Sequence, residues 1–233
     1  MVKFIESELN HLREEVNHMW TLVYAQMELA SKAVLSLDRN LAQQIVVRER
    51  WVDAEELKID SEIEDFIALY TPVAVDLRFV LAMLKINNDL ERIGDYANGI
   101  AKLVKDSSSI KLNGELVEKL CLEEMFRVVL EMMSGLKNAL LAEDPVAATG
   151  VLGMDDRLDE LKKASDEILV EYAKENLEEM GLCMSLGSIF RKLERTGDHL
   201  TNIAEEIVFY IDAKVLKHRG KIPSSEEKNS DME

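Results

Sequence analysis

One six-residue phrase is written twice in this chain, as Leu90-Glu91-Arg92-Ile93-Gly94-Asp95 and as Leu193-Glu194-Arg195-Thr196-Gly197-Asp198, with the copies 103 residues apart. Each copy sets two carboxylates four residues apart and puts a glycine inside a stretch whose spacing otherwise predicts a helix. Both features oppose a helix. Like charges at i, i+4 cost about 0.2–0.5 kcal/mol, and an interior glycine costs about 1 kcal/mol. A chain that bears both penalties twice, at matching points, has a use for the four carboxylates.

The duplication extends beyond that phrase. A shift of 106 residues lays Met19, Val23, Met27 and Val34 on Met125, Val129, Met133 and Leu140, and Asp38 on Asp144. The same shift lays Glu49 and Asp53 on Asp155 and Asp159, again acidic pairs at i, i+4. The change of offset from 106 to 103 requires a three-residue deletion between residue 159 and the second glycine phrase, most simply in an interhelical turn. The chain therefore reads as a tandem repeat.

Hydrophobic spacing predicts three helices per repeat. The first runs from about Phe4 to Leu37, with Leu9, Leu12, Val16, Met19, Val23, Met27, Ala30 and Val34 as its seam. Asp38 caps the second, which reaches about Tyr70. Thr71-Pro72 reads as a hydroxyl N-cap followed by proline at the first helical position. The third helix then extends to about Lys105 along Phe79, Met83, Ile86, Leu90, Ile93, Ala97, Ile100 and Val104. A polar stretch, Asp106 to Gly114, joins the repeats. The fourth helix spans about Glu115 to Ala142, Asp144-Pro145 opens the fifth, and the sixth carries Leu186, Ile189, Leu193, Leu200, Ile203 and Ile207. The expected architecture is all-α: two tandem three-helix bundles, over residues 1–108 and 109–220, followed by a disordered acidic tail at 221–233.

Counting along the helices brings the carboxylates together. Glu49 and Asp53 centre about 20 residues before Thr71-Pro72, and Glu91 and Asp95 about 22 after it. At roughly 1.5 Å per residue, antiparallel neighbours would hold the two pairs within about 3 Å of the same level. In the second repeat, Asp155/Asp159 and Glu194/Asp198 have their midpoint near Asn176, where the chain should turn. Lying one step round from the seam, the pairs are expected at the rim, open to solvent.

Four carboxylates on one bundle face cannot all remain ionised without a counter-charge, so protons or cations must enter. Hard oxygen ligands with little sulfur or imidazole suit iron(III), manganese, magnesium or calcium better than structural zinc. The plainer alternative is a solvated face of a very acidic protein. Two further acid–histidine spacings, Glu8-x-x-His11 and Glu15-x-x-His18, both fall on the first helix and are expected to face water, as is His199. No phosphate-cradling glycine loop and no Ser/His/Asp arrangement points to an enzyme, and nothing requires an organic cofactor.

The formal net charge is −17, which disfavours nucleic acid and anionic membrane surfaces as direct partners. A basic cluster, Lys214, Lys217, His218, Arg219 and Lys221, either complements the end of the last helix or forms a docking patch. No apolar run suffices to cross a bilayer and the N-terminus turns acidic too soon for a signal peptide, so a cytoplasmic protein is expected. Cys121 and Cys183, set among apolar helical neighbours, are expected to be buried, reduced thiols.

The doubled Leu-Glu-Arg-x-Gly-Asp phrase, the acidic pair on the preceding helix of each repeat, and Pro72-Val73-Ala74-Val75-Asp76-Leu77-Arg78 together resemble the PhoU family over essentially the whole chain except the tail. The resemblance implies a six-helix cytosolic protein that restrains the phosphate-starvation response and phosphate uptake. Its implied partners are the ATPase subunit of the phosphate ABC transporter, a phosphate-sensing histidine kinase and a second copy of the chain in a homodimer, with any inner-membrane location reached through those proteins. It also implies multinuclear iron or zinc at Glu49, Asp53, Glu91, Asp95, Asp155, Asp159, Glu194 and Asp198. A metal-storage bundle without a signalling role is the competing function. Two departures stand out: Gly99 replaces an asparagine that its counterpart Asn202 retains, and Met180-Gly181-Leu182-Cys183-Met184-Ser185-Leu186 lacks the Pro-Val-Ala-x-Asp-Leu-Arg opening. Contacts made by Asp76 and Arg78 would then belong to one half alone.

Overall fold

The protein is described by a computed structural model, which covers residues 2–106, 114–213 and 216. Within these residues the order is α1 (Val2–Ser36), α2 (Arg39–Tyr70), α3 (Ala74–Asp106), α4 (Gly114–Lys119), α5 (Leu122–Ala142), α6 (Pro145–Leu152), α7 (Asp155–Glu175), a 3-10 turn (Leu177–Glu179) and α8 (Met180–Asp212). The described residues form no strand. The acidic tail, most of the interrepeat linker and the basic residues Lys214, Lys217, His218, Arg219 and Lys221 lie outside them.

The apolar periodicity becomes burial with little alteration. Every seam position of α3 and α8 named above is buried, as are Met19, Val23, Met27 and Val34 of α1 with their counterparts Met125, Val129, Met133 and Leu140 of α5. Trp20, Phe126 and Phe190 add the largest fully buried side chains. Aromatic and methionine volume of this kind dominates what a helical core gains on folding.

Caps set the boundaries, and one differs from expectation. Asp38 accepts hydrogen bonds from the N–H groups of Asn40 and Leu41, and Asp144 does the same for Val146 and Ala147. Thr71, by contrast, does not cap α3. It adopts φ 47° and donates its N–H to the Ile67 carbonyl at 3.2 Å, which closes α2. Pro72 then lies between the helices and α3 starts at Ala74.

Two expected helices are each divided. The fourth breaks at Cys121 because Leu120 and Leu122 are both buried. Residues two apart on a regular helix point about 200° from one another, so both reach the core only if the chain bends, and Cys121 at φ 53° makes that bend. The bend leaves Cys121 exposed, against the expectation of a buried thiol, whereas Cys183 is buried. The fifth breaks at Gly153 and Met154, which makes Asp155 the first residue of α7. The second turn falls where counting placed it, with Asn176 capping α7.

Helices α1, α2 and α3 pack on one another, as do α5, α6, α7 and α8. The repeats meet chiefly along α3 and α8, which run antiparallel: Phe79 packs edge-on against Tyr210, Lys85 binds Glu206, and Tyr96 meets His199. Lys137 of α5 donates to Thr21 of α1, and Arg13 of α1 pairs with Glu143, the residue that caps the C-terminus of α5. The buried side chains of both repeats form one continuous apolar core.

Candidate functional site

The carboxylates converge as two clusters, one where α2 lies on α3 and one where α7 lies on α8. The positions are not equivalent in depth. Asp53 and Asp95 are exposed and Glu91 is half-buried, but Glu49 is buried, which corrects the expectation that all lie at the rim. Gln26 of α1 donates from Nε2 to Glu49 Oε2 at 3.0 Å. The other oxygen, Oε1, is buried with no hydrogen-bond partner among the described residues. Neither Gln26 nor the inward turn of Glu49 has a motif signal; both follow from an i, i+4 pair straddling the seam, with its first member rotated into the core.

Electrostatics show the convergence directly. Burial, and then repulsion from Asp53, Asp95 and Glu91, raises Glu49 from its ordinary 4.5 to about 7 despite the stabilising Gln26 bond. Glu91 is raised by burial and by Asp95, with Arg92 opposing. Glu56, one turn further along α2, is raised by burial, Asp60 and Asp53. Asn87 of α3 ties this edge together through Nδ2, which donates to the Glu56 carbonyl and to Asp60 Oδ1, each at 3.0 Å.

In the second cluster Asp155 occupies the inner position. Burial, then Asp159 and Asp198, raises it from 3.8 to about 6. Glu194 is raised by burial and Asp198, with Arg195 opposing. Asp159 is exposed and Asp198 half-buried. The arginine of each repeated phrase lies beside its own two acids, Arg92 at 3.4 Å from Glu91 and 3.5 Å from Asp95 and Arg195 at 4.0 Å from Glu194 and 3.7 Å from Asp198. A single half-exposed guanidinium cannot neutralise four carboxylates.

The two glycines have a steric reason. A β-carbon at Gly94 would stand 3.0 Å from Val52 Cγ1 and 3.8 Å from Glu49 Oε1. One at Gly197 would stand 2.5 Å from Asp155 Oδ1 and 2.6 Å from Leu158 Cδ1. Each glycine lets the acidic helix approach and leaves space beside the inner carboxylate.

The clusters share one level on the molecule. Asp89, two residues before Glu91, accepts through Oδ1 from His199 Nδ1 at 2.7 Å, and His199 follows Asp198 directly. His199 is thus mostly enclosed in the α3–α8 seam and not a free surface group, with its ring 5.6 Å from that of Tyr96. Gly99 belongs to the same seam: the Lys192 side chain crosses it, with Cε 2.9 Å from where a β-carbon would stand, and carries its ammonium over Tyr96.

These residues fit a cationic occupant. The donors are oxygen alone, an inner oxygen in each cluster is crowded by its fellows or left unpartnered, and a glycine leaves room beside it. Carboxylates so arranged take up protons or cations to relieve their repulsion. No nucleophile–base pair is part of either cluster.

The PhoU domain family model matches residues 16–104 and again 122–207. The chain is similar to the phosphate-specific transport system accessory protein PhoU homolog of Xylella fastidiosa strain Temecula1, at 35% identity over 99% of this chain and 95% of the relative. It is also similar to PhoU homolog 1 of Thermotoga maritima, at 31% identity over 91% of this chain and 90% of the relative. Among solved structures, PhoU from Pseudomonas aeruginosa matches with a TM-score of 0.84 at 29% identity, over 90% of this chain and 99% of that one. The phosphate transport system regulatory protein PhoU from Streptococcus pneumoniae matches with a TM-score of 0.82 at 25% identity. The chain belongs to the PhoU family.

Proposed function

From membership of that family, we propose that this chain regulates phosphate uptake as an accessory protein and not as a catalyst. In this reading it is an adaptor between the phosphate ABC transporter, through its ATPase subunit, and a phosphate-sensing histidine kinase, and it restrains the starvation response while phosphate is plentiful. The observation that carries the reading is coverage: relatives named as accessory proteins of the phosphate-specific transport system match at least nine-tenths of this chain and of their own length.

Each cluster holds metal ions in this proposal, through Glu49, Asp53, Glu91 and Asp95 in the first repeat and Asp155, Asp159, Glu194 and Asp198 in the second. A bound cation supplies the positive charge that lets four neighbouring carboxylates stay ionised. The chain's own contribution is placement. Gln26 orients Glu49, Gly94 and Gly197 admit the inner acids, and the arginines Arg92 and Arg195 hold the outer ones. Both clusters sit midway along α3 and α8, and a cation held at either would be shared by two helices, α2 and α3 in the first and α7 and α8 in the second.

Any membrane location arises by docking on protein. Among the described residues no helix is long and apolar enough to cross a bilayer, and a net charge of −17 is repelled by anionic lipid within about a Debye length. Deleting the gene should derepress phosphate-starvation genes in phosphate-replete cells. Vesicles carrying the transporter should recruit the protein at moderate salt, and empty anionic vesicles should not. Unchanged phosphate-responsive expression on deletion, or equal capture by empty vesicles, would overturn the adaptor reading.

A further inference from the structure

Beneath the first cluster, in the interior of the α1–α2–α3 bundle, three polar side chains are buried with an oxygen left over. Gln26 of α1, Glu49 of α2 and Asn98 of α3 are 2%, 7% and 6% exposed. Gln26 Oε1, Glu49 Oε1 and Asn98 Oδ1 are each buried with no hydrogen-bond partner among the described residues. All three atoms are acceptors.

The helices bring these residues to one level. Gln26 is bonded to Glu49 through its Nε2, which fixes the two side by side and leaves the amide oxygen of one and the second carboxylate oxygen of the other unspent. Glu49 Oε1 and Val23 Cγ2 each lie 3.8 Å from the place where a β-carbon of Gly94 would stand, so both border the space that this glycine leaves. α1 and α3 run in the same direction, as alternate members of an up-and-down bundle. Gln26 is one turn on from Val23 and Asn98 one turn on from Gly94, and side chains on a helix lean back toward its N-terminus. The two amides are thereby directed toward the Gly94 space from either side, with Glu49 between them.

An acceptor-only set of this kind identifies its occupant. A water has two hydrogens and leaves one of the three oxygens orphaned in a desolvated place, and a proton on Glu49 also satisfies two oxygens at most. A cation meets all three. We propose that Gln26 and Asn98 extend the first cluster inward as neutral oxygen ligands and, with Glu49, hold a calcium ion between α1, α2 and α3. The assignment rests on the reading that the clusters take up cations, and it names the ion and two ligands that the carboxylate motif does not contain. Calcium accepts mixed carboxylate and side-chain amide oxygens in a flexible shell, whereas magnesium keeps much of its water and demands a near-ideal octahedron.

The second repeat has no such tier. The 106-residue shift lays Gln26 on Met132, which is fully buried and apolar, and the 103-residue shift lays Asn98 on Thr201, whose hydroxyl is spent on the Asp198 carbonyl at 2.7 Å. The two clusters match in their carboxylates and differ in what lies under them.

Both tryptophans of the chain, Trp20 and Trp51, belong to the first repeat, so tryptophan-sensitised terbium emission reports on this repeat. The full-length protein is freed of metal with a chelator, loaded with terbium chloride as a probe for calcium-type sites, and titrated with calcium chloride. Calcium should displace terbium from the wild type. Gln26→Met and Asn98→Leu, of similar size but without the oxygen, should each lower the affinity for calcium by about tenfold or more. Asn98→Asp keeps an oxygen and should retain it, a rescue that a purely structural role for Asn98 does not predict. Equal calcium affinity in the wild type, Gln26→Met and Asn98→Leu would overturn the amide ligands and leave the carboxylate clusters standing. Magnesium displacing terbium as readily as calcium would overturn the choice of ion. No uptake of terbium or calcium, with no metal in the protein as purified, would overturn the clusters as well.

Discussion

Asp155 and Gly197 touch across the α7–α8 interface so closely that a β-carbon at 197 would lie 2.5 Å from the Asp155 carboxylate, with Leu158 at 2.6 Å on its other side. Gly197→Ala gains about 1 kcal/mol of helix propensity, but overpacking of this kind costs about 1–3 kcal/mol. Leu158 is buried and cannot swing into solvent. Urea denaturation should show a net loss of up to about 2 kcal/mol, together with weaker metal uptake, because Asp155 is displaced. Gly94→Ala meets only Val52 below 3.4 Å, at 3.0 Å, so the two terms nearly cancel there. A more stable Gly197→Ala protein would contradict the steric account.

The inner carboxylates make the metal-free protein lose stability as pH rises. Glu49 is raised from 4.5 to about 7 and Asp155 from 3.8 to about 6 in the folded state. Over those intervals the folded chain binds more protons than the unfolded one, so stability falls with increasing pH. The contribution is fully present below the unfolded values and is lost by the time each folded value is passed. In the presence of a chelator, melting temperature should decline between about pH 4 and pH 7 from these groups, and Glu49→Gln with Asp155→Asn should flatten that decline. A decline of the same slope in the double variant would assign it to other carboxylates.

What the sequence conveyed was periodic, and what it hid was not. The seams of α1, α3, α5 and α8 repeat at three and four residues, so the pattern in one dimension already contains the buried face. The level of Glu49 with Glu91, and the turn at Asn176, needed only counting at a fixed rise. The bond from Gln26 to Glu49 joins helices through a residue type with no motif, and the His199–Asp89 pair crosses the repeats at a separation no helical period predicts. Thr71-Pro72 carries the signature of an N-cap, yet the need to close α2 takes the Thr71 N–H and its left-handed backbone first. Cys121 bends the chain for the sake of Leu120 and Leu122, a demand of the assembled core and not of local propensity.

The interrepeat seam offers a test of how the halves are coupled. Lys85 of α3 reaches both carboxylate oxygens of Glu206 in α8 at 3.0 Å, and Glu206 is buried. Lys85→Met removes that charged donor from a desolvated acid and should cost about 1–3 kcal/mol. Lys85→Met combined with Glu206→Met also removes the buried carboxylate that the single variant leaves without this donor, and should recover part of the loss. A double-mutant cycle in chemical denaturation checks this, and strictly additive losses would show that the pair contributes nothing across the seam.

The carboxylate clusters can be tested by subtraction, since they are two and alike. Glu91→Ala with Asp95→Ala removes the outer pair of the first cluster and leaves Asp155, Asp159, Glu194 and Asp198 intact. Elemental analysis of protein purified without added chelator should then find roughly half the wild-type content of the metal held by these clusters. Stability in chelator should be unchanged or raised by a few tenths of a kcal/mol, because a like-charge pair at i, i+4 is relieved and Glu49 loses two of the charges that oppose its ionisation. A loss of metal with unchanged stability separates a binding role from a structural one. Full metal content in the double variant would reduce Glu91 and Asp95 to a solvated face and leave the glycine beside them explained by the approach of Val52 alone.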